Sequence, residues 1–223
     1  MKKIWAFAAA LFISSAAFAA PADVTRAVQD YARKLQAAEA QDRDQRAAAN
    51  SDALADNPAS PFIGHAQGDV TIVEFFDYAC PYCKAVEPRL EALVARDKGV
   101  KLVLKEFPIL TKQSMIASRM ALAAMKQGKY APFHLAMMRH SGVLEVADIE
   151  QMAKASGLDL ARLKRDMVAP EVSDEIIANF NLARAIRAFQ TPTFIVNNHV
   201  LGSESAAINF PAEVAAARKR ANP

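Results

Sequence analysis

The period of apolar and polar positions changes several times along the 223 residues, and the changes divide the chain. Ile4 to Ile13 is a nearly unbroken apolar run, preceded by Lys2 and Lys3 and followed by the small-x-small triplet Ala17-Phe18-Ala19. The run is too short to span a bilayer, and its flanks are those of a secretory signal peptide, so residues 1–19 are expected to be a cleaved export signal. From Asp23 to Asp56 an Ala-, Gln- and charge-rich stretch runs without Gly or Pro, which favours helix. In it Val24, Val28, Tyr31, Leu35 and Ala38 recur at steps of four and three. This heptad seam fades where Asp42 and Gln45 fall on its positions. Residues 20–57 are therefore expected to form a helical arm. It either builds a homo-oligomer through residues 23–56 or packs as one amphipathic helix on its own domain.

Asn57-Pro58-Ala59-Ser60-Pro61-Phe62-Ile63-Gly64 breaks the helical pattern, and residues 58–68 are expected to be a linker. Beyond it the period shifts toward strand. Val70 to Phe76 (VTIVEFF) and Val100 to Phe107 (VKLVLKEF) are β-branched and aromatic, with a helix from the Cys80 region to about Arg96 between them. Helical spacing then holds from Lys112 to Arg187, for example at Ile116, Met120, Ala123 and Ala124, broken near Gly128, Gly142, Gly157 and Pro170. Thr193 to Val196 and His199 to Leu201 predict a hairpin turning at Asn197-Asn198. Phe210 to Arg220 predicts a last helix, with Pro211 suited to its first turn. The order strand, helix, strand, helical block, hairpin, helix predicts an α/β domain over 69–223 with a helical insertion at about 112–187.

Composition alters this picture little. Twenty-seven basic residues face 24 acidic ones. Removal of Lys2 and Lys3 with the signal leaves 25 against 24, so no nucleic-acid surface is indicated. About 200 residues bury a substantial core without disulfide staples. An Ala-rich signal with two lysines points to the bacterial periplasm, an oxidising compartment.

The only two cysteines, Cys80 and Cys83, stand in FFDYACPYCKAVEP where a strand gives way to a helix. Unpaired N–H groups and the dipole at a helix start favour an anion, so the Cys80 thiol should be acidified. Pro81 fits the first helical position. Cys83 lies one turn further on the same face and can close a disulfide onto Cys80 or resolve a mixed one. A structural disulfide over so short a loop would stabilise little. A zinc site needs four ligands, and His65, His134, His140 and His199 lie at no ligand spacing from the pair. A two-thiolate copper(I) site stays open on grounds of softness. Met115, Met120, Met125, Met137, Met138, Met152 and Met167 crowd the helical block, where methionine ordinarily fills core. Pro192, in Gln190-Thr191-Pro192-Thr193-Phe194, starts a strand without an N–H to donate, and a cis Thr191–Pro192 bond would suit a tight functional turn.

These motifs resemble the DsbA family of thiol–disulfide oxidoreductases, on the thioredoxin-like fold. Cys80-Pro81-Tyr82-Cys83 resembles the family's CxxC, with Pro81 and Tyr82 the residues that tune the pair. Pro88 resembles its helix-kinking proline, and Thr191-Pro192 its cis-proline loop, which faces the sulfurs and holds the substrate backbone. Glu74, six residues before Cys80, matches a buried acid that helps move protons, with Lys105 on the neighbouring strand as its expected partner. The block at 112–187 fits the family's inserted helical domain. The arm and Lys105-Glu106-Phe107-Pro108-Ile109-Leu110 are similar to the ScsC and Com1-like subgroup. Gln190 departs from the pattern, which has Gly before Thr-Pro.

The resemblance implies a periplasmic enzyme without a cofactor, acting on the cysteines of exported proteins. Its electron partner would be a membrane protein, either a quinone-linked oxidase or a DsbD-like reductase. Disulfide donation and isomerisation both remain open. The alternative from another class is a periplasmic copper-tolerance protein that uses the thiol pair.

Overall fold

The computed structural model describes residues 22–201 and 207–221. The expected export signal at 1–19 lies outside the described residues. Two compact units part between Glu39 and Ala40.

The first unit holds the N-terminal part of helix α1 (Ala22–Ala49). Val24, Val28, Tyr31 and Leu35 of the heptad seam are all exposed on this single chain. The rest of α1 and the short α2 (Ser51–Ala55) belong to the second unit. The expected arm of 20–57 is therefore not one body. Past Ala38 the helix serves the domain: Ala47 and Leu54 are buried in its core. Asp44 accepts from the His199 ring at 2.8 Å and from the Val200 N–H at 2.8 Å. Asp42, which spoils the heptad, pairs with Arg187 at 3.0 Å and serves the same attachment.

The second unit is built on a five-stranded sheet in the order β1-β3-β2-β4-β5. Its strands are β1 (Phe62–Gly64), β2 (Val70–Phe76), β3 (Val100–Glu106), β4 (Thr193–Val196) and β5 (His199–Val200). β2 and β3 run parallel and every other pair is antiparallel. The expected linker thus contains an edge strand. Gly64 permits it with φ +95, because a Cβ there would lie 2.6 Å from Val94 and 2.7 Å from the Val100 carbonyl. The hairpin turns at Asn197, whose φ is +54.

β2 and β3 are covered on both faces, which explains their nearly continuous apolar sequences. One face carries Ile72, Phe76, Leu102 and Leu104 against α3 (Pro81–Arg96) and α9 (Phe210–Ala221). The other carries Val73, Phe75 and Val103 against Ala47, Leu54 and the end of α8 (Pro170–Ala185). Between β3 and β4 the chain makes α4 (Lys112–Ala124), a 3-10 turn, α5 (Tyr130–Arg139), α6 (Val146–Ala155), α7 (Leu160–Asp166) and α8. Met120, Met137 and Met138 are buried there, with Met125, Met152 and Met167 packed against the same core. They fill space between helices, as methionine does where surfaces are irregular.

Candidate active site

β2 ends at Phe76, and Asp77 organises the loop that follows. Its carboxylate accepts from the Ala79 N–H at 2.7 Å and the Ser114 hydroxyl at 2.6 Å, and from the N–H groups of Ile109 and Leu110 at 2.9 Å each. One buried acid thereby ties the turn before Cys80 to the loop after β3 and to α4. Cys80 is the N-cap of α3, and Pro81 occupies its first turn. Both cysteines are free thiols and lie 3.5 Å apart.

The two sulfurs differ sharply. A hydrogen bond from the Cys83 thiol, joined by the N–H groups of Cys83 and Tyr82, lowers the Cys80 pKa to about 6 against the opposing effect of burial. Burial pushes the Cys83 thiol far up, reinforced by its hydrogen bond to Cys80 and by the nearby Glu74 carboxyl. Cys80 is only 3 % accessible. The Thr191–Pro192 peptide bond is cis and packs over it, with the Cys80 thiol donating to the Thr191 carbonyl at 3.3 Å. Tyr82 between the cysteines is exposed. Gln190 needs no glycine-like backbone: the left-handed residue of this loop is Arg187, at φ +58.

Glu74 is fully buried, and neither carboxylate oxygen has a hydrogen-bond partner. Burial raises its pKa well above the usual carboxylate range, and Glu87, Cys80 and Glu106 push in the same direction. The expected Lys105 pairing does not form. Glu74 aligns with Leu104, so the alternation of side chains turns Lys105 to the opposite face of the sheet. There its ammonium donates to the Ala53 carbonyl at 2.7 Å and the Ser60 hydroxyl at 2.6 Å, and Ser60 donates to Glu175 at 2.6 Å.

Behind Cys83 lies a polar cluster that sequence reading missed. Glu106 Oε1 accepts from the Tyr78 hydroxyl at 3.0 Å and the Tyr130 hydroxyl at 2.8 Å. Tyr78 spends its one proton on Glu106, so its contact of 2.9 Å with His134 Nδ1 requires the imidazole to donate. Nε2 faces Glu87 Oε2 at 3.6 Å, too far for a hydrogen bond, and neither atom has another hydrogen-bond partner. Burial raises the Glu106 pKa to about 7. Spacing alone could have pointed to Glu87, which sits four residues after Cys83 on the same helical face. Nothing local marks His134, which comes from the insertion 51 positions beyond Cys83.

Cys80, Cys83, Pro81, Thr191 and Pro192 thus converge, with Glu74 buried beneath them. Among the described residues no group of three or more His, Cys, Asp or Glu side chains is placed to hold a metal ion.

A strand-loop-helix dithiol under a cis-proline loop, on a mixed sheet interrupted by a helical block, defines a thioredoxin-like protein. Residues 71–210 match the DSBA-like thioredoxin domain, and the chain belongs to that family. A thioredoxin-like oxidoreductase from Silicibacter pomeroyi DSS-3 superposes with a TM-score of 0.70 at 42% identity, over 75% of this chain and 97% of that one. The catalytic domain of Proteus mirabilis ScsC superposes with a TM-score of 0.69 at 24% identity, over 79% and 97%, a likeness of fold. Among curated relatives, a Na(+)/H(+) antiporter of Salinispora tropica is 30% identical over 146 residues, 63% of this chain. The match covers only 22% of that relative's length. No helix among the described residues is long and apolar enough to cross a membrane.

Proposed function

We propose that the protein exchanges thiols and disulfides with exported polypeptides through Cys80 and Cys83. The observation that carries this is the inequality of the two sulfurs. Cys80 is a thiolate at neutral pH on a helix N-terminus, and Cys83 is held protonated behind it.

In the oxidising direction, a substrate thiolate attacks Cys80 of the Cys80–Cys83 disulfide. The S–S bond breaks, Cys83 leaves and takes up a proton, and Cys80 stays bound to the substrate as a mixed disulfide. A second substrate thiolate attacks its own sulfur in that bond and releases Cys80 as a thiolate. The substrate has then lost two electrons to the protein. In the reverse direction Cys83 must lose its proton before it attacks Cys80. Glu74, buried beside it without a hydrogen-bond partner, is placed to relay that proton. The cis-proline loop lines the substrate backbone against Cys80. Tyr82, Leu110 and Phe189, all exposed and close to the dithiol in sequence or loop position, suit an unfolded chain. Stabilisation of the Cys80 thiolate favours the reduced form and makes the disulfide oxidising.

The leader-like residues 1–19 support export to the periplasm, and membership of the DSBA-like family supports a membrane protein that resets the pair. The exposed heptad seam is the surface for a homo-oligomer. Such an assembly would turn separate dithiols into a shared cleft suited to isomerisation. The test keeps the chain whole. The wild type and a Tyr31→Glu, Leu35→Glu variant are given a substrate with scrambled disulfides, with sedimentation run in parallel. Recovery that disappears together with assembly identifies an isomerase. Rapid oxidation of a reduced substrate by both, without recovery, identifies an oxidase. No exchange by either would reject the proposal.

A further inference from the structure

The cis-proline loop borders a feature that the exchange chemistry leaves unused. A cavity of about 240 Å³ opens beside Pro192 and Thr193, walled by Phe189, by Val200 of the hairpin, and by Arg43 and Arg187. Arg43 reaches it from the part of α1 that belongs to the domain. Its side chain is half-buried, and among the described residues it has no hydrogen bond or ion pair. Among the described residues, the acids of this part of α1 are engaged elsewhere. Asp42 holds Arg46 at 2.8 Å and Arg187 at 3.0 Å. Asp44 holds His199 and the Val200 N–H. A guanidinium with five donors, partly withdrawn from water and without a counter-ion among the described residues, suits an anion. Arg187 adds a second cationic wall, on a left-handed backbone that long side chains rarely adopt. Phe189 adds an exposed apolar rim.

We propose that this cavity is a recognition subsite for a carboxylate side chain of the substrate polypeptide, with Arg43 as the residue that sets the preference. The proposal rests on the exchange reading above. The Cys80 thiol touches Thr191, and the cavity begins at the next residue. An extended chain advances roughly 3.3 Å per residue. A substrate lying along the loop with its cysteine at Cys80 therefore places a side chain only a few positions away in this cavity. Acidic residues near a cysteine would mark preferred substrates. Only chains that carry the α1 attachment could show the preference, because Arg43 belongs to that helix.

The experiment uses the full chain, reduced, and a set of neutral peptides. Each peptide carries one cysteine as a mixed disulfide with 2-mercaptoethanol. A single Glu or Gln is scanned through the positions on either side. Quenched-flow mass spectrometry follows the reaction: the protein's dithiol becomes the Cys80–Cys83 disulfide, and peptide and mercaptoethanol leave as thiols. At one position Glu should outpace Gln about tenfold at low salt, the effect of one charge-assisted hydrogen bond. The ratio should fall toward one in Arg43→Gln and be partly kept in Arg43→Lys. Equal rates at every position, or a preference that survives in Arg43→Gln, would overturn the subsite. Hydroxyethyl disulfide, which has no side chain to place there, tests the exchange chemistry alone. If the reduced wild type fails to reduce it, the exchange reading falls and the subsite with it.

Discussion

His134 Nε2 faces Glu87 Oε2 across 3.6 Å, with both side chains shut away from solvent. The pair links the helical insertion to the helix that carries the cysteines. It sits at one end of a chain of contacts that runs through Tyr78 to Glu106. Neither facing atom has a hydrogen-bond partner, so removing either group leaves the other buried with no polar group opposite it. His134→Leu and Glu87→Leu should each cost roughly 1–3 kcal/mol, the penalty of an unsatisfied buried polar group. Their double-mutant cycle should show a coupling of about 0.5–3 kcal/mol by denaturant unfolding. Strict additivity would mean that the contact contributes nothing.

Alkylation of reduced protein by iodoacetamide should follow one titration with its midpoint at about pH 6, the pKa of Cys80. Cys83 should stay unmodified, because burial keeps it a thiol. Cys83→Ala removes the main hydrogen bond to Cys80 and should raise the midpoint by roughly one unit or more. A folded pKa below the unfolded one means that reduced-state stability is full above the unfolded pKa and is lost as pH falls through about 6. This contributes about 1 kcal/mol at pH 7. A midpoint above pH 8 in the wild type would remove the basis for calling Cys80 the nucleophile.

Glu106 predicts a slope of the opposite sign. Its folded pKa is raised to about 7, above that of an ordinary glutamate. Between those values the native state holds a proton that the unfolded chain has lost, so stability falls as pH rises from about 4.5 to about 7. The full loss is roughly 3 kcal/mol, with Glu74 adding to it in the same direction. Glu106→Gln keeps an oxygen for Tyr78 and Tyr130 but cannot ionise. It should flatten the slope and be the more stable protein at pH 8. Parallel unfolding curves for the two proteins at pH 5 and pH 8 would contradict this.

Lys105 faces away from the dithiol, and its substitution should show that. Lys105→Met leaves the Ala53 carbonyl and the Ser60 hydroxyl without their donor. Hydrogen exchange should quicken in α2 (Ser51–Ala55), while the alkylation midpoint of Cys80 stays at about pH 6. A shifted midpoint with α2 unchanged would restore the pairing with Glu74 that the sheet register denies.

The sequence by itself determined the elements whose signals are local. VTIVEFF, VKLVLKEF and the CPYC helix have their periods and caps written within a few residues, so the strand at Val70–Phe76 and the helix at Pro81–Arg96 form where they were read. The acidity of Cys80 was legible in part for the same reason, because the N–H groups at a helix start act on the residue that caps it, although the hydrogen bond from the Cys83 thiol is the larger cause. Only the tertiary structure decided what depends on distant partners. Which face of β3 carries Lys105 is set by register with β2. That Glu87, His134, Tyr78, Glu106 and Tyr130 form one buried cluster depends on how α5 folds back onto α3 and the sheet. The end of α1 looks like a failing heptad in sequence, yet Asp42 and Asp44 meet Arg187 and His199, more than 130 residues ahead, and Ala47 packs under the sheet. Burial and pairing across such separations depend on the closed fold, so no short window of sequence could assign them.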